Sequence, residues 1–277
     1  MNIEKKARPM PLASSDLQSL RQSISKIGRD GSLRAMDPVT KKVPTGHGAI
    51  DQTLGGGLAR DGLHEIAPHS PSDLAAATGF ALGLIGRLAQ GRDWVWIGED
   101  MTRHEGGQAY GPGLKNFGLD PTRLLLVAPR VANDGLKAAE DALRCAALGA
   151  VLFEPWGHPK QLDLVALRRL ALAAEENTVP LIILRHGGQN LPGSLRTRWH
   201  VTATPSEGRE RVGHPRFRLT LLLNRQKGAE SAGGIWTTEW SHGERLFRPA
   251  DSVDHFSASI DRSMASSDSF HSYERSA

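Results

Sequence analysis

Short apolar runs alternate with helical patterns through the middle of this chain, and this alternation restricts its fold more than any other feature. Five runs are predominantly apolar and are bounded by Gly, Pro or charged residues, as expected of strands covered on both faces. They occupy residues 62–67, 94–98, 123–128, 150–154 and 181–185. Between them, apolar residues recur at every third or fourth position, which predicts helices. Strand–helix–strand repetition predicts an α/β fold with a mostly parallel sheet flanked by helices.

The pattern changes after Trp199. Residues 216–224 and 235–240 alternate between apolar and polar side chains, and a Gly-rich segment joins them. Alternation with a short Gly-rich connection is typical of a hairpin. We therefore expect an antiparallel hairpin region at the C-terminal end of the core.

Three parts differ in composition. Residues 1–40 hold one short amphipathic helix and a polar linker, and residues 41–248 form the α/β core. Residues 249–277 are rich in Ser with few aliphatic side chains, which predicts a disordered tail because such a segment cannot bury enough apolar surface.

Composition excludes some classes of protein. The chain has 277 residues, and none of its apolar runs approaches the roughly 20 residues of a membrane helix. The N-terminus lacks the apolar stretch of a secretory signal, and Cys145 is the only cysteine, so we expect a cytoplasmic protein. Its eleven histidines show no zinc-site spacing, which predicts no metal site. A net charge of +4 permits contact with nucleic acid without requiring it.

Three local sequences, in this order and spacing, resemble RecA. Residues 17–32 resemble its N-terminal helix, the run from Ile50 to Leu58 with three glycines resembles the segment before its first core strand, and residues 116–125 resemble the stretch before its third. The likeness covers roughly three quarters of the chain. Within this superfamily the chain most resembles the ImuA family, through residues 55–58 with 62–66 and through its end soon after the hairpin.

The ImuA resemblance implies a role in SOS-induced, error-prone translesion DNA synthesis. The expected partners are an ImuB-type Y-family-like protein and a specialised replicative-type polymerase. This family lacks the RecA C-terminal domain. Composition alone indicates none of these properties.

The stretch that matches the ATP-binding loop of RecA has lost its signature residues. Ala67 and Ser72 stand in place of glycines, Asp73 in place of the lysine, and Leu74 in place of the Mg²⁺-binding hydroxyl. A lysine about 4 Å from a phosphate charge contributes ~4 kcal/mol at an effective dielectric near 20, and an aspartate reverses its sign. We expect Ser70 and Asp73 to serve instead as helix-capping groups, and we predict no bound nucleotide cofactor and no catalytic residues.

Other ATPase positions are partly kept under this resemblance. Glu99 lies near the place of the catalytic glutamate, and Glu154 corresponds to the acid that assists Mg²⁺. His186 stands in place of a glutamine that senses the terminal phosphate. An acid after a strand is common without catalysis, so these positions do not by themselves indicate an ATPase.

Four arginines are candidate contacts for single-stranded DNA: Arg185, Arg196, Arg198 and Arg225. The first three adjoin the stretch that matches the second DNA-binding loop of RecA, residues 187–196, and arginines beside a Gly-rich loop can bind phosphates without reading sequence. Solvated surface charge is an equally good interpretation.

The N-terminal helix carries one apolar stripe, formed by Leu17, Leu20, Ile24 and Ile27. A helix of about three turns is marginal in water, so the stripe must be buried against something. The RecA resemblance implies docking on a second RecA-fold protein, either another copy or RecA itself; folding back on its own core is the alternative. The sequence thus favours a non-catalytic accessory protein over a single-stranded DNA-binding module, and either over a functional ATPase.

Overall fold

The computed structural model describes residues 22–23, 41–102, 107–187, 191–206, 214–226 and 233–250. The predicted docking residues Leu17, Leu20, Ile24 and Ile27 lie outside the described residues, as does nearly all of the predicted tail. The described core consists of one large mixed sheet with helices on both faces and a two-stranded ribbon.

Nine strands form the large sheet within the described part of the chain. In chain order, β1 and β2 make the small ribbon and β3–β11 make the sheet: β1 Lys42–Val43, β2 Leu58–Ala59, β3 Leu63–Pro68, β4 Trp94–Gly98, β5 Leu124–Val127, β6 Ala150–Glu154, β7 Leu181–Leu184, β8 Leu195–Thr204, β9 Arg216–Asn224, β10 Ile235–Ser241 and β11 Leu246–Pro249. The spatial order is β11-β10-β9-β8-β3-β7-β6-β4-β5. Strands β8, β3, β7, β6, β4 and β5 run parallel, and β9–β11 are antiparallel.

The predicted α/β architecture is confirmed. All five predicted core strands occur within one or two residues of their expected bounds, because continuous apolar runs suit strands covered on both sides. The predicted hairpin is β9 and β10, and β11 extends it by a further antiparallel strand.

Five α-helices with both ends in the described residues accompany the sheet: α1 Gly48–Leu54, α2 Leu74–Ala89, α3 Gly111–Asn116, α4 Ala132–Leu143 and α5 Leu164–Asn177. Helix α2 buries Phe80, Leu84 and Ile85 in a cluster with Trp199, Trp240 and other residues of one sheet face. Helices α4 and α5 bury their apolar stripes on the opposite face. The sheet therefore separates two apolar clusters, and its parallel strands end in loops at one shared edge.

Strand β8 corrects the sequence-based interpretation, which placed no strand there. It pairs in parallel with β3 and antiparallel with β9, so it joins the parallel part of the sheet to the hairpin. Alternation between buried Leu195, Thr197, Trp199 and Val201 and half-buried polar residues was the available signal. Within the described residues, none of the helices is long and apolar enough to cross a membrane.

Candidate functional site

The loop between β3 and α2, where RecA-like ATPases hold phosphate, is closed around its own carboxylate. The Asp73 Oδ2 atom accepts hydrogen bonds from the Ser70 backbone N–H at 3.0 Å and from the Ser70 hydroxyl at 2.6 Å. The Asp73 Oδ1 atom accepts from the backbone N–H of Ala203, on β8, at 2.8 Å. The carboxylate therefore ties the loop to a strand that lies 130 residues further along the chain.

Hydrogen bonding from Ser70 and Ala203 lowers the pKa of the Asp73 carboxyl below its ordinary value, so the group is charged at neutral pH. Asp73 is buried, and it precedes the first residue of α2. A negative side chain is favoured at the N-terminal end of a helix, where a phosphate would otherwise be favoured. The chain thus supplies its own anion to these backbone donors.

The other signature positions lie at the end of β3, in the turn that follows it and at the start of α2. Ala67 is buried within β3, where it pairs with His200. Pro71, which has no N–H, begins the 3₁₀ turn that contains Ser72. Leu74 begins α2 with an aliphatic side chain, which cannot bind Mg²⁺.

Two glutamates, Glu99 and Glu154, lie where the parallel strands end, and both form hydrogen bonds with other residues of the chain. The Glu154 Oε1 atom lies 2.7 Å from His186 Nε2, and its Oε2 atom accepts from the Trp96 indole N–H at 2.9 Å. The Glu99 Oε1 atom accepts from the Trp156 backbone N–H at 3.1 Å. Burial raises the pKa of the Glu99 carboxyl. Both carboxylates stabilise the local fold, and no group of three or more potential metal ligands occurs among the described residues.

Two of the four predicted DNA contacts, Arg185 and Arg198, are paired with one buried carboxylate. Arg185 is 3% exposed, and its Nη1 atom lies 3.6 Å from Glu65 Oε1. Arg198 donates to Glu65 Oε2 at 2.6 Å. Because Glu65 is buried in β3, it holds the buried Arg185 guanidinium inside the fold and pairs with the half-buried Arg198.

The other two arginines are more accessible but have partners. Arg196 lies 3.6 Å from an Asp61 carboxylate oxygen and 4.0 Å from Glu175. Arg225 donates to the carbonyl of Gly193. The structure therefore brings the four arginines near β8 without arranging them as a row of unpaired cations.

An open cavity of about 790 Å³ lies beside this edge of the sheet. Its walls come from the α2 residues Ala75, Gly79 and Leu82, from α3, and from the ends of β4, β6, β8 and β9. Aromatic side chains contribute much of the lining: Trp96, Tyr110, Phe117 and Phe217. The cavity adjoins the closed phosphate loop through Pro71 and Ser72.

The sequence predicted the capping role of Ser70 and Asp73 and singled out Glu154, but it did not indicate the distant partners of these carboxylates. Nothing local links Asp73 to Ala203, Glu154 to Trp96, or Glu65 to two arginines. The charged Glu65 within the apolar run of β3 was the only available signal, since a buried carboxylate requires partners.

Comparison with known proteins identifies the fold. No protein family matches the sequence, and no curated protein matches it either. Among solved structures, the crystal structure of the RadB recombinase is similar, with a TM-score of 0.51 and 15% identity over 76% of this chain and 100% of that chain. At this identity the likeness concerns the fold alone. With the largely parallel sheet flanked by helices, it shows that the chain has a RecA-like fold.

Proposed function

We propose that this chain is a non-catalytic RecA-like accessory protein of SOS-induced, error-prone translesion DNA synthesis, and that it acts through protein–protein contacts. The observation that carries the proposal is the Asp73 carboxylate, bonded to Ser70 and Ala203 in the loop where a RecA-like ATPase binds phosphate. A RecA-like fold that does not hydrolyse ATP would keep the surfaces through which it contacts other proteins and would lack movements driven by ATP hydrolysis.

Electrostatic repulsion and lost hydrogen bonds both oppose ATP binding at this loop. Each phosphate charge within about 4 Å of Asp73 would be opposed by ~4 kcal/mol at an effective dielectric near 20. Displacing the carboxylate would also break its hydrogen bonds with the backbone N–H groups of Ser70 and Ala203, which would then need new acceptors. Since Glu154 is bonded to His186 and Trp96, it is not free to assist Mg²⁺.

The role in translesion synthesis is supported by the sequence resemblance to ImuA, and a role in DNA repair fits a fold shared with a recombinase. The proposed partners are the ImuB-type Y-family-like protein and the replicative-type polymerase. The stripe of Leu17, Leu20, Ile24 and Ile27 is the proposed docking element for RecA or a second copy.

Nucleotide binding provides the first test. Titration with Mg-ATP should give no heat of binding, and the melting temperature should not change, whereas a ligand at 100 times its Kd adds ~2.7 kcal/mol. Asp73→Lys should not restore hydrolysis, because Ala67, Ser72 and Leu74 remain unsuited to phosphate and Mg²⁺. Micromolar affinity for Mg-ATP, or measurable turnover in Asp73→Lys, would show that the loop can still hold ATP.

Co-purification with the two proposed partners, RecA and a second tagged copy provides the other test. Replacing Leu20 and Ile24 by Asp should abolish the contact made by the docking helix, since each buried side chain contributes roughly 1.5–3 kcal/mol. The matched control places the same charges on the polar face, at Gln18 and Gln22. Unchanged association of the Leu20/Ile24 variant would exclude the docking role, and capture of none of the four proteins by wild type would exclude the accessory function.

A further inference from the structure

Two histidines that are far apart in the sequence lie side by side next to the antiparallel strands β9–β11. His214 lies just before β9, and His242 lies in the turn between β10 and β11. Their ring centroids are 5.0 Å apart, and the ring planes are inclined at 39°. His214 is exposed and His242 is half-buried, so solvent can reach the pair. We call these two residues the histidine pair.

The His242 ring is held by contacts with the end of α3. Its Nδ1 atom lies 2.9 Å from the backbone carbonyl oxygen of Asn116, and its ring packs against Phe117 in a T-shaped contact. A carbonyl oxygen only accepts hydrogen bonds, so in the neutral ring Nδ1 carries the hydrogen and Nε2 keeps its lone pair. A histidine that binds a metal usually donates its other N–H to a carbonyl or a carboxylate in this way.

His214 is held through its backbone, and its ring has no other task in the fold. The Ser206 hydroxyl donates to the His214 carbonyl at 2.9 Å. Among the residues that the structure describes, neither the His214 ring nor the Nε2 atom of His242 has a hydrogen-bond partner. Both rings therefore keep a nitrogen that can bind a ligand.

The separation of the two rings matches that of two imidazoles on one tetrahedral ion. With a Zn–N bond of about 2.0–2.1 Å and about 1.1 Å from that nitrogen to the ring centre, each centroid lies about 3.2 Å from the ion. At a tetrahedral angle of about 109°, the two centroids are about 5.2 Å apart, close to the 5.0 Å of the histidine pair. A right angle, as in square-planar and octahedral sites, gives about 4.5 Å. The spacing therefore favours a tetrahedral ion.

A second pair of neighbouring histidines does not have this geometry. The ring centroids of His69 and His200 are 6.2 Å apart, and the contact is T-shaped. Two imidazoles at that separation could share a zinc ion only at an N–Zn–N angle of about 150°, far from tetrahedral. This second pair therefore provides a matched control.

We propose that His214 and His242 form a binding site for Zn²⁺, with one nitrogen of each ring as a ligand and Nε2 as the ligand in His242. Neutral imidazole is a preferred ligand of zinc. The described residues contain no group of three or more potential metal ligands, so water completes the coordination of the ion.

The bound ion joins the segment before β9 to the turn after β10, and these strands are neighbours in the sheet. It thereby stabilises the antiparallel part of the fold. The site is independent of the proposed accessory function. The expectation of no metal site came from spacings along the sequence, which do not report a pair that forms only in the tertiary structure.

The test uses the full chain without a histidine tag, after removal of metal with a chelator. Isothermal titration with ZnCl₂ gives the stoichiometry and affinity of wild type, His214→Ala and His242→Gln. His214 is exposed, so its truncation spares the core, and glutamine at 242 keeps a donor for the Asn116 carbonyl. The control is His69→Ala, which removes an exposed histidine of the second pair. The melting temperature without metal is the check on folding.

We expect wild type to bind one Zn²⁺ per chain. Each variant of the histidine pair should bind it at least about 10-fold more weakly, whereas His69→Ala should change the affinity less than about twofold. Zinc should raise the melting temperature of wild type and of His69→Ala, and it should raise that of the two site variants much less, because an ion that binds only the folded state stabilises it.

Three results would overturn the inference. Wild type could fail to bind zinc at concentrations below millimolar, or it could bind zinc that neither site variant weakens. Half an ion per chain would place the ion between two copies rather than within one chain. None of these results concerns ATP or protein partners, so the accessory function would stand in each case.

Discussion

His64 should make the stability of this protein depend strongly on pH below neutrality. The His64 ring is fully buried, with Nδ1 2.8 Å from the Thr197 hydroxyl and Nε2 2.8 Å from the Ala59 carbonyl. The Thr197 oxygen also accepts from the Trp199 indole N–H at 2.9 Å. One arrangement satisfies every group: Nε2–H donates to Ala59, and Thr197 donates to Nδ1.

A proton on Nδ1 would compete with the Thr197 hydroxyl proton for the same position, and the charge would be buried. Burial is the main cause that lowers the pKa of His64 from 6.5 to about 4. Between these values the unfolded state binds the proton and the folded state does not, so stability decreases as pH falls from 6.5 to 4. One pKa unit is worth about 1.4 kcal/mol, so the full loss is about 3 kcal/mol, of which about 2 kcal/mol appears between pH 7 and pH 5.

The assay is urea unfolding at pH 7, 6 and 5, followed by tryptophan fluorescence, since Trp94, Trp199 and Trp240 are fully buried. His64→Gln is the comparison, because glutamine keeps a donor for Ala59 but does not titrate. The variant should be less stable at pH 7 and should lose about 2 kcal/mol less on going to pH 5. Burial also lowers the pKa of His47 and His200, and subtracting the two profiles removes their contribution.

Parallel pH profiles for wild type and His64→Gln would refute this reasoning. A second measurement is independent of unfolding: the NMR signals of the His64 ring should show the neutral Nε2–H form down to pH 5. Protonation of the folded state near pH 6.5 would show that the ring is not excluded from water as the structure indicates.

Three further outcomes are expected. Arg60→Met should lower the free energy of unfolding by roughly 1–3 kcal/mol in urea titrations, because the buried Arg60 donates to the carbonyls of Leu88 and Gly149; an unchanged value would show that these carbonyls find other donors. Asp73→Ala should lower the free energy of unfolding by a similar amount at pH 7. Because the pKa of Asp73 is lowered in the folded state, the difference in stability between wild type and variant should shrink below about pH 4 in acid unfolding experiments. A difference that stays constant with pH would contradict the charge assigned to Asp73. Filter binding of single-stranded DNA should be weak with a shallow dependence on salt; a slope that corresponds to several phosphates would show that the arginines near β8 leave their partners.

The α/β architecture was predictable because its signals are local. Residues 94–98 and 150–153 are apolar without interruption, and such runs are stable as strands only when helices cover both faces. The sequence also predicts that the loop after β3 does not bind ATP, because Asp73 and Leu74 stand where an ATP-binding loop has a lysine and a hydroxyl. For helix α5 the apolar periodicity predicted a helix but did not single out its buried residues: Leu164 is 54% exposed, whereas Leu170 is buried.

Sequence thus determined the order of the core elements and the residue types in the loop after β3. Only the tertiary structure decided what those residues contact. The bond from Asp73 to Ala203, the pairing of Glu65 with Arg185 and Arg198, and the aromatic lining of the cavity beside α2 all join residues that are far apart in the chain. Periodicity reports which face of an element is buried, whereas the partner across that face depends on sheet order, and β8 takes its place beside β3 only when the whole sheet assembles.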